Sequence, residues 1–518
     1  MKRLKPGGVA FAALLLLTGC ATHSRNAGAA MAALKSGNTT SALQWSEKLK
    51  TSTFSKDLGY LESGRIKMLN GDFTGSRADF RTAIDTVLEE TETGPEIRLS
   101  AVGATLAAST VADDTIRSYE LSPYEVIQLL HYQTLNYLFC GDPDGAGVEM
   151  RRTVFAQDAL SEQYADEVQD AQEEQEKDAE TRAKAMEAVN AKMEGMAPAL
   201  ERTSSSHENG LAWYLCGLMF EKQGDPANAS LSYRKAWELA PQNPCILKDF
   251  LRMLQTQDRQ AFVDLVLQNN ADVNDLSRGS TEIVVLYEES LISQRQAEKI
   301  QLPIPDFQGT ITMISVDFPF YSDPAYTPSV LQLKEDGGPL GTVLPAVYLQ
   351  SLAYRDLKEK MPGIVIRNVT RAVTKVATQQ VANQGNSYTK YGMMAFNAIS
   401  SMASTADTRA WYSIPMATQL YRGTVEPGSH TLECRSPLSG TLMTIPLEVQ
   451  EGETRLVWIA DTGGMAAAAT ASLNRKGIPP TYQQFNNPFR TNGIPNVAGG
   501  ESAGTGTANS KENKETVL

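Results

Sequence analysis

One turn recurs along the first half of the chain. Gly37-Asn38, Gly71-Asp72, Gly141-Asp142 and Gly224-Asp225 each stand between two stretches with helical apolar spacing. Gly71 follows Gly37 by 71 − 37 = 34 residues, one plausible repeat length. Such self-similarity constrains the fold, because a lone helix pair cannot bury its apolar face and must stack on copies of itself. The fullest unit is residues 210–243, GLAWYLCGLMFEKQGDPANASLSYRKAWELAPQN. Gly217 and Ala229 are small enough for two helices to approach closely, and Phe220 and Tyr233 fill the space between them. Gly224-Asp225-Pro226 makes the turn, and Pro241 stops the second helix. Tyr60, Gly64, Phe80 and Ala83 occupy the matching places around Gly71, and Ala146 takes the small-residue place after Gly141. A weaker unit runs over residues 244–270 with Asp258 near its turn. The pattern predicts an α-helical repeat array over residues 28–270.

At Trp213, Gly217, Phe220, Ala229, Tyr233, Ala236 and Pro241 the unit resembles the tetratricopeptide repeat. The resemblance implies a concave groove, lined by the first helix of each pair, that takes a peptide from a protein partner. Tyr132, Asn136 and Tyr214 are the candidate groove residues; packing in the core is the plain alternative. Residues 155–200 interrupt the array with an Ala/Glu/Gln-rich stretch that predicts a long, solvated, acidic helix.

The beginning of the chain carries a second signal. Lys2, Arg3 and Lys5 precede a short apolar run from Val9 to Leu17, too short to span a bilayer. Leu17-Thr18-Gly19-Cys20 then resembles the lipobox of bacterial lipoproteins. That resemblance implies a signal peptide at 1–19, acyl chains on Cys20 and a tether at 20–27. Several chains anchor where one binds only marginally. Ala21 after the Cys implies the outer membrane, facing the periplasm. The net charge is −13, and loss of three cations with residues 1–19 makes it −13 − 3 = −16. A chain this acidic is unsuited to phosphate backbones, so no nucleic acid is expected. Cys140, Cys216, Cys245 and Cys434 show no CxxC spacing, which speaks against a metal site. Cys216 with Cys245 is the pair to test for a disulfide, with buried thiols as the alternative.

Near residue 280 the pattern changes to a mixed α/β domain over residues 280–475. Strands are expected at 281–287, 310–318 and 331–333, with an irregular Pro-rich stretch at 302–307. Residues 344–383 read as a helix broken at Pro362. On it Arg367, Arg371 and Lys375 are four apart and form one basic stripe. The stripe suits an anionic partner such as a phosphate, a lipid head group or a glycan carboxylate; a solvated edge is the alternative. A second helix is expected from Tyr391 to Thr405. Asp407 and Arg409 form either a site beside Trp411 or a buried ion pair at the junction. Strands from 414 to 460, with a Pro-Gly turn at 427–428, resemble the small antiparallel β module called PEGA. Residues 476–518 read as a disordered tail.

The layout as a whole resembles a family of uncharacterised bacterial lipoproteins with N-terminal tetratricopeptide repeats. It implies a multidomain chain: a helical repeat array, then a mixed α/β domain ending in a small antiparallel β module. The chain lacks HExxH, GxSxG, P-loop and GxGxxG signatures, and His131, His207 and His430 have no companion at metal-ligand spacing. No enzyme activity, cofactor or metal is therefore expected. The expected function is a lipid-anchored periplasmic scaffold for an envelope assembly serving cell-wall synthesis, secretion or outer-membrane biogenesis. The alternative is a cell-wall glycan-binding or glycan-processing lipoprotein that contacts peptidoglycan through its C-terminal domain.

Overall fold

A computed structural model describes residues 19–52, 54–91, 94–97, 118–175, 179–305, 311–321, 326–384 and 406–486. The fold is mixed α/β. Helices α1 (Gly19–Lys35), α2 (Thr39–Leu49), α3 (Lys56–Leu69) and α4 (Phe73–Val87) come first. A small hairpin, β1 (Leu88–Thr91) and β2 (Gly94–Ile97), follows. Then come α5 (Pro123–Phe139), α6 (Pro143–Gln175), α7 (Ala179–Met193), the short α8 (Ala197–Leu200), α9 (Gly210–Lys222), α10 (Pro226–Leu239), α11 (Pro244–Gln257) and α12 (Arg259–Asn269).

The same turn joins α1 to α2, α3 to α4, α5 to α6 and α9 to α10. Gly37, Gly71, Gly141 and Gly224 have φ between +76° and +79°, where a side chain would be strained. The next residue, Asn38, Asp72, Asp142 or Asp225, sends its own N–H back five residues at 2.8–2.9 Å. Its side chain then accepts the N–H three residues on, from Ser41, Gly75, Gly145 or Asn228, at 2.8–3.2 Å. One Gly-Asp pair thus closes one helix and caps the next. The α11–α12 junction uses Asp258 alone as its cap.

The second half supplies β3 (Glu282–Glu289), β4 (Arg295–Pro305), β5 (Ile311–Tyr321), β6 (Leu331–Glu335), β7 (Gly338–Val347) and the long helix α13 (Leu349–Gln384). After it come β8 (Ala417–Thr424), β9 (Gly428–Arg435), β10 (Leu442–Val449), β11 (Thr454–Asp461), β12 (Met465–Ser472) and β13 (Thr481–Asn486). Nine of these strands form one nearly closed mixed sheet in the order β10-β9-β6-β7-β8-β3-β11-β12-β13, in which only the β3–β11 pair is parallel. Strands β4 and β5 form a separate two-stranded ribbon.

Alternation along β3 sorts the two faces of the sheet. Ile283, Val285 and Tyr287 join Leu331, Leu333, Val343, Met443 and Val457 in an apolar cluster inside the curve of the sheet. Val284 and Leu286 face the other way and share one apolar cluster with the helices. Leu420, Leu456, Trp458, Ala467 and Ala469 extend that outer face. Helices α3, α5 and α9 meet it and are buried along nearly their whole lengths.

Several expectations are corrected. The strands at 414–460 are not a separate module: β8 pairs with β3 and β7, whereas β9 pairs with β6 and β10. The Pro-Gly turn therefore crosses over the β6–β7 hairpin, because β6 and β7 lie between β8 and β9 in the sheet. Residues 302–305, read as irregular, belong to β4. Pro303 and Pro305 are tolerated because each strand of a two-stranded ribbon has a free edge. Helix α13 runs on through Pro362, with Met361 and Val365 buried on either side. Residues 20–27 are helical, not an extended tether, and Asn26 and Ala27 are already buried. Within the expected acidic helix, α7 buries Ala185, Val189 and Met193 and packs on α13 and β4. Residues 481–486 of the expected tail form β13. Residues 476–480 lead into it as a described loop, whereas residues 487–518, most of the signal peptide and the helix expected at 391–405 lie outside the described residues.

Candidate functional site

Two polar junctions join the helices to the sheet, and β3 supplies an acid to each. Its helix-facing residues read Glu282, Val284, Leu286, Glu288, so an apolar centre is flanked by a carboxylate at either end.

At the Glu288 end, residues 407–413 are strapped into the helices. Glu62 on α3 accepts the backbone N–H groups of Tyr412 at 2.7 Å and Ser413 at 3.2 Å. Glu125 on α5 accepts those of Trp411 and Ser122, both at 2.9 Å, and the Tyr119 hydroxyl at 2.8 Å. Burial pushes Glu62 up to about 7 against these hydrogen bonds, and the nearby Glu125 charge adds to the rise. Burial likewise raises Glu125, opposed by the N–H groups of Ser122 and Trp411. Arg65 of α3 donates Nε to the Ser413 carbonyl at 3.3 Å, gives its guanidinium to Glu288 and lies over the rings of Tyr132 at 4.6 Å and Trp458 at 5.3 Å. Asp407 and Arg409 form the ion pair, with Nε to Oδ1 at 2.9 Å and Nη2 to Oδ2 at 2.6 Å, the arginine buried and the aspartate half-buried. Arg409 also donates to the Phe54 carbonyl at 2.7 Å, tying the strap to the loop after α2.

At the Glu282 end, the wholly buried Arg422 of β8 meets three acids. Its Nε and Nη2 reach Glu282 at 3.0 and 2.7 Å, and its Nη1 reaches Glu221 and Asp249, both at 3.1 Å. Lys222, Arg252 and Arg278 close the network on Glu282, Glu221 and Asp249 at 2.7, 2.6 and 2.6 Å. Tyr214 and Tyr233 donate to Asp249 and Glu221 at 2.8 and 2.6 Å. Burial opposes charge here too and is the largest single influence, but the surrounding cations, Arg422 foremost, together outweigh it, with Glu221 held down to about 2 and Asp249 well below the carboxylate range.

These junctions place the groove candidates. Tyr132, Asn136 and Tyr214 are fully buried, so they do not line an open groove. Tyr132 is enclosed by Phe80, Trp411 and Arg65. Asn136 donates to Ser76 at 2.8 Å, and Tyr214 belongs to the Arg422 network. The sheet covers the helix faces that the repeat pattern left for a partner.

The basic stripe is partly absorbed. Arg367 and Arg371 are half-buried on α13, and Arg371 donates to Asn368 at 3.2 Å. The side chains of Lys375 and Cys20 lie outside those described. Cys216 and Cys245 are free thiols, lying against the carbonyls of Met150 and Arg422 at 3.7 and 3.8 Å. His131 is buried and stays neutral, pushed down to about 3 by burial and the Arg65 charge.

Sequence reasoning missed Glu62, Arg65, Glu125, Asp249, Glu282 and Arg422. Their signal was a charged residue within an apolar stretch, as Glu125 is in YEVIQLLHYQ. It also missed a surface group, Glu335, Asp336 and His430, whose members are brought together only by the pairing of β6 with β9. No protein-family model matches the chain, and no curated protein matches it.

Proposed function

We propose that the protein is a lipid-anchored envelope scaffold, fixed to the outer membrane through acylated Cys20 and facing the periplasm, with tetratricopeptide-like helix pairs as its frame. The lipobox carries the reading, and the short reach of α1 supports it. Cys20 precedes Asn26, which is buried, by 26 − 20 = 6 helical residues, about 9 Å of rise. A partner would then be met close to the bilayer. The four repeated turns support the helix-pair frame. The partner would dock on the outer helices, since α3, α5 and α9 are covered by the sheet. Helix α12 has no buried residue and exposes Val263 and Leu267 one turn apart.

The test is Cys20→Ser, followed by fractionation and acyl labelling. Wild type should label and sediment with membranes, and Cys20→Ser should do neither. Unlabelled wild type, or a variant that stays on the membrane, defeats the anchor. For the scaffold, Val263→Glu with Leu267→Glu should abolish recovery of an envelope protein that co-purifies with wild type. Glycan recognition by Arg367, Arg371 and Lys375 has less support, because the two arginines are partly spent on packing within the fold.

A further inference from the structure

The β6–β7 hairpin turns through Asp336 and Gly337, with φ of +50° and +82°. The turn lies against β9, where the Asp336 N–H donates to the Thr431 carbonyl at 3.0 Å. There His430 Nδ1 lies 3.0 Å from Glu335 Oε1 and 3.1 Å from Asp336 Oδ2. The other ring nitrogen, Nε2, lies 2.7 Å from the Glu426 carbonyl oxygen. A carbonyl oxygen only accepts, so Nε2 carries the hydrogen. In the neutral ring, Nδ1 then presents a lone pair towards two carboxylates, and either a proton on Nδ1 or a metal ion has to stand between them.

We propose that Glu335, Asp336 and His430 form a divalent transition-metal site. The side chains are held from outside the group, as metal ligands are. His430 is oriented by the Glu426 carbonyl, and Asp336 by the Thr431 N–H, which donates to Oδ1 at 2.8 Å and leaves Oδ2 directed at the ring. Separations of 3.0 and 3.1 Å suit ligand atoms each about 2.1 Å from one ion at an angle of roughly 95°. One imidazole and two carboxylates suit Zn²⁺ or Mn²⁺ better than Ca²⁺ or Mg²⁺, which prefer oxygen alone. Asp336 is 53% exposed, so water can complete the coordination. The bound ion would clamp the β6–β7 turn to β9.

The experiment is calorimetric titration of chelator-treated full-length protein with Zn²⁺, in wild type, His430→Ala and Glu335→Gln. Wild type should take up one equivalent saturably and gain melting temperature. Each variant should bind at least about tenfold more weakly while melting like wild type in chelator. Glu335→Gln keeps the site's shape and decides the matter if His430→Ala does not fold. No saturable uptake by wild type overturns the proposal and leaves His430 as a cationic partner of two acids. Uptake unchanged in the folded variants also overturns it and points to the thiols.

Discussion

The two junctions between helices and sheet both hold fully buried carboxylates, Asp249 and Glu282 at one and Glu62 and Glu125 at the other, but they are oppositely built. At Arg422, three acids meet four cations, and the acids are held in the charged form. At the strap, Glu62 and Glu125 meet mainly backbone N–H groups and a phenol, and burial raises both. Burial alone therefore does not set the behaviour of a carboxylate; the charge facing it does. The ionic junction ties β3 and β8 to α9 and α11, and each of its acids is paired by side chains, with Arg278 also donating to the Arg422 carbonyl at 3.2 Å. The strap ties a loop to α3 and α5, and there the carboxylates supply the pairing that backbone N–H groups lack outside a helix or strand.

Removing Arg422 should give the largest effect. Arg422→Ala leaves Glu221, Asp249 and Glu282 short of their shared partner, and breaking a buried pair typically costs about 3–5 kcal/mol. Urea unfolding should show a loss of that size, and a loss under about 1 kcal/mol would mean that Lys222, Arg252 and Arg278 suffice. Glu125→Ala comes next. It orphans two buried N–H groups and a tyrosine hydroxyl, each worth on the order of 1–3 kcal/mol when left unpaired. An unchanged midpoint would show that water replaces the carboxylate and that the strap is not held by it.

The contrast also separates in pH. Glu62 moves from its ordinary 4.5 to about 7 on folding. Between those values the native protein keeps a proton that the unfolded chain has released, so stability falls as pH rises through the window. The two values imply about 3 kcal/mol. Glu221 behaves in reverse: its contribution is complete above 4.5 and is lost as pH falls towards about 2. His131 also opposes Glu62, because the unfolded ring takes a proton below 6.5 and the buried one only near 3. The readout is therefore the difference between wild type and Glu62→Gln. Melting temperatures measured from pH 4.5 to 7.5 should show the variant gaining on wild type as pH rises. Glu359, raised to about 7 by burial, retains its own share. Parallel curves would mean that Glu62 is ionised throughout.

What was legible in the sequence was local. The Gly-Asp turns could be read because one residue's positive φ and the next residue's cap need no distant partner. Strand β3 was legible from its β-branched run. Strand β12, Met465–Ser472, was not: an alanine run has no β propensity of its own. It is a strand because Ala469 pairs with Trp458, while Ala467 and Ala469 face the helices, where Phe139 lies 5.8 Å from the Trp458 ring. The groove failed as an expectation for the same reason. Its actual occupant, the sheet, comes from the far half of the chain. Arg65 and Glu288 are 223 residues apart, and Glu62 and Ser413 are 351 apart. No spacing rule reaches that far.

The smallest effect tests how firmly the sheet rests on the repeated turns. Gly71 and Gly224 have nearly the same φ, +79° and +77°, so alanine at either should pay the same left-handed penalty, about 1 kcal/mol. Their surroundings differ. A Cβ at Gly224 meets nothing within 4 Å, whereas one at Gly71 falls 2.6 Å from Tyr482 Cδ1. Tyr482 is on β13 and donates its hydroxyl to the Leu69 carbonyl at 2.7 Å. Gly71→Ala should therefore cost more than Gly224→Ala in thermal unfolding, and the excess measures the seat of β13 on α3. In a Tyr482→Ala background the excess should vanish and the two glycines should become equivalent. If they are already equivalent in wild type, Tyr482 swings away at no cost and the edge of the sheet is only resting there. The apolar face shared by α5, β11 and β12, with the Thr462 hydroxyl on the Leu34 carbonyl at 3.3 Å, would then carry the attachment at that edge.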